Sequence, residues 1–323
     1  MVKRIEINAF GGPETMTLTE APDPTPGPSE VLIEHTAIGV NFVDIYHRSG
    51  LYPMALPSGL GMEAAGVIAA TGEGIEDLSI GDRVAYCAGP IGAYADRHVV
   101  KADRLVRLPN NVPDEVAAAS LLKGLTTQYL IRQTYPVSAG ETVLFHAAAG
   151  GVGRLACQWL KHLGVTVIGV VGTEAKIDIA RSAGCDHVIL QGKENIADRV
   201  IEITDGAKVP VVYDSVGAAT WAASLDSLRP RGLLVSFGNA SGQVKDVNLG
   251  VLAAKGSLFV TRPTLYDYIL TKEALDAAAA ELFDVLGNVV NVEITAEYPL
   301  ADAAQAHADL ESRKTSGSII LRP

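Results

Sequence analysis

A glycine-rich turn near the middle of the chain has residue types and spacing suited to binding a pyrophosphate. Residues 146–153, with the sequence HAAAGGVG, follow a strand-like run and precede a helix-like run at 154–163. Glycines permit a tight reversal, and a helix that starts here would direct its free N–H groups toward an anion. The residues that we predict to contact a dinucleotide in this turn are Ala148, which replaces the first glycine of the usual pattern, Gly150, Gly151 and Val152.

The segments around the turn support that interpretation. A glycine-rich turn alone is weak evidence, because many helices begin after one for packing reasons. Here an apolar run at 142–145 precedes the turn, and a second apolar, β-branched run at 165–172 follows the helix. A strand, turn, helix and second strand within about 30 residues form the βαβ unit that the motif requires.

Length, composition and charge indicate a globular protein that binds a small molecule. The chain has 323 residues, of which 48% are hydrophobic and 20% charged, so we expect two domains. Its net charge of -11, without any run of Lys and Arg, argues against nucleic acid or an anionic membrane as the main partner.

Cysteine usage and the N-terminal pattern favour a cytoplasmic protein. Cys87, Cys157 and Cys185 are widely spaced, which suits a reducing compartment and offers no disulfide framework. The first residues alternate between polar and apolar types like a strand, and no run of about 18 apolar residues occurs. We therefore expect neither export nor membrane insertion.

Two patterns of secondary structure follow one another along the chain. Residues 1–110 contain short strands and turns, and a helix is predicted over 115–132 with Asp114 as its N-cap. From about residue 140, strands alternate with helices, which is typical of a parallel doubly wound sheet. The strands predicted for this part are 142–146, 165–172, 188–190, 209–213, 233–237 and 258–261. A helix from 272 to about 286, a strand at 289–298 and a final strand at 318–321 follow.

Five segments in the same order give the chain a resemblance to a known family over essentially its whole length. They are 37–44 (AIGVNFVD), 48–53 (RSGLYP), 122–126 (LKGLT), 146–153 and 235–239 (VSFGN). The chain resembles quinone oxidoreductases of the zeta-crystallin type, a zinc-free branch of the medium-chain dehydrogenase/reductase superfamily. The resemblance implies an α/β fold in which a Rossmann doubly wound parallel-sheet domain, residues 123–263, is inserted into a GroES-like β-rich catalytic domain. That catalytic domain would comprise residues 1–122 and 264–323, and a homodimer would be usual.

The metal ligands of related zinc alcohol dehydrogenases are missing at the corresponding positions. By the resemblance, Asn41 stands where those enzymes have a cysteine and Met62 where they have a histidine, and neither side chain suits zinc. Only Cys87 lies in the region of their structural zinc lobe, so we expect no metal. Without a Lewis acid the acceptor must already be electrophilic, as quinones and conjugated carbonyl compounds are.

The end of the second predicted strand favours NADPH as the coenzyme, with NADH as the weaker alternative. NAD enzymes place an acidic residue there to hold the ribose 2′-hydroxyl, whereas this chain has no carboxylate at that place. Glu174 lies nearby and would repel a 2′-phosphate if its side chain pointed inward. The residues predicted to hold the ribose and its phosphate are Gly172, Thr173, Lys176 as a point charge, Gln191 and, by the resemblance, Arg313 as a second cation. Gln191 replaces a phosphate-binding tyrosine that is usual in bacterial relatives.

The remaining predicted site residues follow from the resemblance and from the carboxyl ends of strands. The predicted catalytic residues are Asn41, Tyr46, Tyr52 and Thr126. An amide can hydrogen-bond a carboxamide or a quinone oxygen, and tyrosines can stack on a planar substrate or donate a hydrogen bond. The further coenzyme contacts are Asn41, Phe42, Tyr46, Tyr129, Ser215, Phe237, Gly238 and Asn239.

Structural roles compete with several of these assignments. Asn41 could cap the helix that follows it, and Thr126 could bond its own helical turn. Asp44 suits a surface-facing or turn-stabilising role better than a proton relay. His146 is expected to be a satisfied core imidazole, and Cys157 a small buried hydrophobe.

These features predict an NADPH-dependent quinone oxidoreductase in which the protein orients the reactants and excludes water. Transfer of a hydride and transfer of single electrons both remain open. An NADPH-dependent 2-alkenal or enoyl reductase is the alternative within the same fold. A protein of another class, which binds AU-rich RNA or has a crystallin-like structural role, is a further alternative that the acidic composition disfavours.

Overall fold

The computed structural model describes residues 1–312 and 317–323, and the chain folds into two compact units. The first unit comprises Met1–Lys123, Ile269–Gly287 and Val292–Pro323. The second comprises Gly124–Tyr268 and Asn288–Asn291. Arg313, one of the predicted phosphate ligands, lies outside the described residues.

The first part of the chain is rich in short strands, because apolar residues alternate with polar ones between turns. The strands are β1 (Val2–Ile7), β2 (Met16–Ala21), β3 (Glu30–Val40), β4 (Ser58–Gly59), β5 (Ala64–Thr71), β6 (Arg83–Tyr86), β7 (Arg97–Lys101) and β8 (Val106–Arg107). Two helices accompany them, α1 (Phe42–Arg48) and α2 (Asp114–Gln128), and a π-helical turn over Tyr129–Thr134 continues α2. Asp114 is the first residue of α2 rather than its N-cap, and its carboxylate accepts hydrogen bonds from Thr36 Oγ1 at 2.7 Å and Arg83 Nε at 2.9 Å.

The second unit contains a six-stranded parallel sheet with helices between its strands. The strands are β9 (Thr142–His146), β10 (Thr166–Val171), β11 (His187–Leu190), β12 (Val209–Asp214), β13 (Leu228–Ser236) and β14 (Phe259–Thr261). The helices are α3 (Gly151–His162), α4 (Ile177–Ser182), α5 (Ile196–Ile203), α6 (Trp221–Asp226), α7 (Gly250–Ala254) and α8 (Leu265–Tyr268). The order β11-β10-β9-β12-β13-β14 reverses between β9 and β12, which confirms the predicted doubly wound sheet.

The last part of the chain returns to the first unit. It contains α9 (Lys272–Val285), β15 (Ile294–Pro299), α10 (Ala303–Glu311) and β16 (Ser318–Arg322). β16 pairs in parallel with β15 and antiparallel with β3, so this segment completes a seven-stranded sheet. The strand predicted from residue 289 begins only at Ile294, because Gly287, with φ of +79°, turns the chain after α9.

Each unit has its own apolar core. In the first unit, Ile33 and Ile38 on β3 pack with Ile319 on β16. In the second unit, Leu144 and Ile168 on neighbouring parallel strands are fully buried, as expected where helices cover both faces of a sheet. No helix within residues 1–312 and 317–323 has both the length and the apolar character needed to cross a membrane.

Candidate functional site

The glycine-rich turn connects the carboxyl end of β9 to the start of α3. Gly150 N donates a hydrogen bond to Ala147 O at 2.8 Å, and Ala147 adopts a left-handed φ of +51°. A Cβ atom on Gly153 would collide with the backbone of Ala147 and Ala148, so the turn can close only with glycine there. Among the described residues no side chain caps this end of α3, which leaves its first N–H groups oriented for an anion. The turn can therefore hold a pyrophosphate.

The ends of β10 and β11 bring the predicted ribose and phosphate ligands together. Val171 pairs with Leu190 in the parallel register, and Gln191 N donates to Val171 O at 2.9 Å. The segments that carry Gly172, Thr173, Lys176 and Gln191 thus meet at one corner of the sheet. Glu174 forms an ion pair with Lys193, a residue that the sequence reasoning did not single out. The Glu174 carboxylate is therefore charge-compensated by Lys193.

The ends of β12 and β13 adjoin one another beside the reversal in strand order. Phe237 N donates to Asp214 O at 2.8 Å, and Gly238 packs against the backbone of Ser215 so closely that a Cβ would not fit. Ser215, Phe237, Gly238 and Asn239 therefore lie in adjoining segments at the carboxyl edge, where ligands of such sheets bind.

Asp214 fixes the loop that follows β12. Its carboxylate accepts hydrogen bonds from the backbone N of Val216 at 2.7 Å and Gly217 at 3.1 Å, and from Thr220 Oγ1 and Ser224 Oγ, both at 2.7 Å. Burial alone would raise the pKa of Asp214, but the hydrogen bonds that it accepts from Thr220, Ser224 and Gly217 hold it below the usual range. An ionised Asp214 thus maintains the conformation of the segment that carries Ser215.

His146 is buried at the end of β9 and belongs to the same network. Its Nε2 lies 3.0 Å from Ser224 Oγ, whose proton goes to Asp214, so Nε2 carries the imidazole proton and donates it. Within the described part of the chain its Nδ1 has no partner, so the expected satisfied imidazole is satisfied at one nitrogen only. Burial lowers the pKa of His146 and keeps the ring neutral.

In the first unit, Asn41 is held between two carboxylates. Its Nδ2 donates to Glu63 Oε2 at 2.7 Å, and its backbone N donates to Asp44 Oδ2 at 2.8 Å. Glu63 Oε1 also accepts from Leu122 N at 2.6 Å, and Glu63 Oε2 lies 4.0 Å from Lys123 Nζ. Asn41 is 5% exposed and Glu63 is fully buried, so the orientation of the amide is fixed by protein contacts.

Asp44 is fully buried, so the expectation of a surface-facing carboxylate is wrong and the turn-stabilising role is correct. Its Oδ2 accepts from Tyr94 Oη at 2.9 Å as well as from the backbone at the start of α1. Burial raises the pKa of Asp44 to about 7, although the hydrogen bonds from Asn41 and Tyr94 act in the opposite direction.

The aromatic residues of α1 form a cluster with the segment that follows it. The rings of Tyr46 and Tyr52 meet edge to face with centroids 5.2 Å apart, and Phe42 lies 6.3 Å from Tyr46. Both tyrosines are half-buried and Phe42 is exposed, which suits contact with a planar ligand.

Thr126 and Tyr129 belong to the second unit, while Asn41, Tyr46 and Tyr52 belong to the first. Thr126 is half-buried on α2. Tyr129 stacks on Tyr268 with ring centroids 4.5 Å apart and an angle of 15° between the planes. This stack orients the Tyr129 ring.

Met62, which by the resemblance stands in place of a zinc-ligand histidine, is buried beside Glu63. Residues 1–312 and 317–323 contain no group of three or more His, Cys, Asp or Glu side chains arranged to hold a metal ion.

Two protein families match parts of the chain. Residues 27–110 match the alcohol dehydrogenase GroES-like domain family, and residues 151–284 match the family described as zinc-binding dehydrogenase. The chain is 54% identical to a quinone oxidoreductase of Pseudomonas aeruginosa, with 100% of both chains covered. It is 43% identical to a 2-haloacrylate reductase of a Burkholderia species, covering 100% of this chain and 99% of that protein.

A solved structure supports the same assignment. The crystal structure of the Escherichia coli quinone oxidoreductase complexed with NADPH superposes with a TM-score of 0.98 at 51% identity, covering 99% of this chain and 100% of that one. These matches confirm the resemblance predicted from the sequence segments. The chain belongs to the quinone oxidoreductase family of the medium-chain dehydrogenase/reductase superfamily.

Proposed function

We propose that this protein is an NADPH-dependent quinone oxidoreductase. The observation that carries the proposal is the corner at the ends of β10 and β11, where Gly172, Thr173 and Lys176 replace the carboxylate that selects NADH. The full-length similarity to quinone oxidoreductases, one of them solved with NADPH, supports the acceptor and the coenzyme.

The coenzyme, when bound, supplies the reducing equivalents from its nicotinamide C4. The residues of this chain bind and orient the reactants. The N–H groups at the start of α3 hold the pyrophosphate, and Lys176 attracts the 2′-phosphate. Asn41, fixed by Glu63, hydrogen-bonds the reacting region, while Tyr46 and Tyr52 stack on the planar acceptor. An oriented and dry site is sufficient for an acceptor that is already electrophilic.

A titration of coenzyme fluorescence with NADPH and with NADH tests the coenzyme assignment. Tighter binding of NADPH is expected, because only this coenzyme offers a phosphate to Lys176. Turnover of 1,4-benzoquinone with NADPH tests the acceptor. Equal affinities for the two coenzymes, or no quinone turnover, would contradict the proposal.

A 2-haloacrylate or another activated alkene is the second candidate acceptor, because of the 43% identity to a 2-haloacrylate reductase. Side-by-side turnover of 1,4-benzoquinone and 2-chloroacrylate with NADPH distinguishes the two. A higher kcat/KM for the haloacrylate would reverse the order of the candidates.

A homodimer is the proposed assembly, with β14 as part of the interface. β14 is the last strand of its sheet, and Phe259 and Val260 on it are 61% and 37% exposed. An edge strand with apolar side chains can pair with the same strand of a second copy. Light scattering would give twice the chain mass. We further propose that the partner is a small-molecule substrate and not a nucleic acid. The proposed location is the cytoplasm, where free thiols such as those of this chain persist.

A further inference from the structure

We infer that Lys193 and Glu174 together set how strongly this protein prefers a coenzyme with a 2′-phosphate. Lys193 acts as a further phosphate-binding cation, and Glu174 competes with the phosphate for it. The inference rests on the proposed NADPH dependence and adds a specificity-determining pair to it. Its starting point is the ion pair between Lys193 Nζ and Glu174 Oε1, in which both side chains are 68% exposed.

The backbone places this ion pair at the corner where the ribose phosphate is expected. Glu174 opens the short turn Glu174–Lys176 that follows β10, and Lys193 lies in the loop that follows β11. The pairing of Val171 with Leu190 aligns the two strand ends, and Lys193 N donates to Leu190 O at 3.2 Å. Lys193 thus extends its side chain toward the loop after β10, which carries Thr173 and Lys176.

Two acidic residues, Glu174 and Glu194, lie near this corner, and Glu174 is the one expected to oppose a phosphate. Glu194 Oε2 accepts from Leu190 N at 2.8 Å, and its Oε1 pairs with Arg199 Nε at 3.0 Å, so its charge is already compensated. Gln191, at the tyrosine position of relatives, offers hydrogen bonds but no charge. Among the described residues, Lys193 therefore joins Lys176 as a cation of this corner, in addition to the predicted Arg313, which lies outside them.

The 2′-phosphate makes the ion pair affect the binding of NADPH but not the binding of NADH. A 2′-phosphate carries close to two negative charges and attracts an ammonium more strongly than one carboxylate does. NADPH can therefore draw Lys193 away from Glu174, whereas NADH offers only a hydroxyl and leaves the ion pair intact. Glu174 lowers the affinity for NADPH, because the phosphate must break the attraction between Glu174 and Lys193 before it can bind Lys193.

Dissociation constants for NADPH and NADH, measured by fluorescence titration of two variants, test the inference. Lys193→Gln is expected to weaken NADPH binding about fivefold and to leave NADH binding within twofold, since the site is exposed to solvent. Glu174→Gln is expected to tighten NADPH binding severalfold without changing NADH. Lys161→Gln is the matched control, because Lys161 pairs with Asp186 just before β11, at the opposite end of that strand.

Three results would overturn the inference: Lys193→Gln leaves NADPH affinity unchanged, it weakens both coenzymes equally, or Glu174→Gln weakens NADPH binding. Equal affinities of the unmodified protein for NADPH and NADH would instead overturn the proposed coenzyme preference, and the inference with it. The two failures are therefore distinguishable from the wild-type titration alone.

Discussion

At the scale of single residues, Glu63 connects the predicted active-site amide to a buried cation. One oxygen accepts the Asn41 amide and lies 4.0 Å from Lys123, while the other accepts a backbone N–H of α2. Burial raises the pKa of Glu63 and lowers that of Lys123, and the attraction between them opposes both shifts. The attraction between Glu63 and Lys123 therefore helps both groups to remain charged inside the protein.

Sequence reasoning named Asn41 but not Glu63 or Lys123 as parts of the site. Glu63 meets Asn41 because β3 and β5 pair antiparallel, with Ile38 opposite Ala64. A strand register of this kind is decided by long-range packing rather than by local pattern. Only the positions of these two residues in the sequence could have indicated a role in the site. By the resemblance, Glu63 follows the residue that replaces a zinc ligand, and Lys123 lies in the segment LKGLT.

Glu63→Gln is expected to lower the free energy of unfolding by about 3 kcal/mol, because it removes the carboxylate that lies 4.0 Å from the buried Lys123 ammonium and helps to stabilise its charge. Urea unfolding at neutral pH measures the change. In the background of this variant, Lys123→Met removes the buried ammonium as well and is expected to recover most of the loss. An unchanged midpoint for the single variant would show that the pair is not ionised.

At the scale of elements, hydrophobic periodicity was sufficient to predict the parallel sheet of the second unit. Its strands are short apolar runs between glycine-rich turns, and this local pattern matches the strands found in the folded sheet. Boundaries were less well predicted where no strong pattern marks them. α2 becomes π-helical at Tyr129, and β15 starts at Ile294 rather than at residue 289. Contacts such as Arg48 with His307, far apart in sequence, had no local signal.

The close packing of the glycine-rich turn predicts the effect of adding a single Cβ atom at Gly153. Gly153→Ala places a Cβ against the backbone of Ala147 and Ala148, so the turn must open. We expect a loss of about 1–3 kcal/mol in stability and at least tenfold weaker NADPH binding.

Gly172→Ala is the control for that change, because a Cβ at Gly172 meets nothing within 4 Å. Its unfolding free energy is expected to stay within about 0.5 kcal/mol of the wild type. Urea unfolding of both variants and coenzyme titration of Gly153→Ala provide the test. A Gly153→Ala protein with wild-type stability and affinity would mean that close approach at this turn is unimportant.

At the scale of the whole molecule, buried histidines couple folding to pH. Burial lowers the pKa of both His35 and His307 to about 3. His35 Nδ1 donates to Ala95 O at 2.7 Å and its Nε2 lies 3.1 Å from Tyr86 Oη, so a neutral ring satisfies both neighbours. His307 Nδ1 accepts from Arg48, which also favours the neutral ring.

The sign of the pH dependence follows from these shifts. A histidine whose pKa is lower in the folded state takes up its proton first in the unfolded state, so stability falls as the pH drops below about 6.5. Each of these two histidines should cost about 2 kcal/mol at pH 5. Asp44 acts in the opposite direction, because its pKa is raised to about 7 and its contribution is lost as the pH rises toward that value.

His35→Gln isolates one of these contributions. A glutamine can donate to Ala95 O and accept from Tyr86, but it cannot titrate, so the variant should lose about 2 kcal/mol less than the wild type between pH 7.5 and pH 5. The free energy of urea unfolding at the two pH values gives this difference directly, whatever Asp44 and His307 contribute. His162→Gln, at an exposed position on α3, is the matched control. Parallel pH profiles for His35→Gln and the wild type would mean that His35 keeps an ordinary pKa in the folded protein.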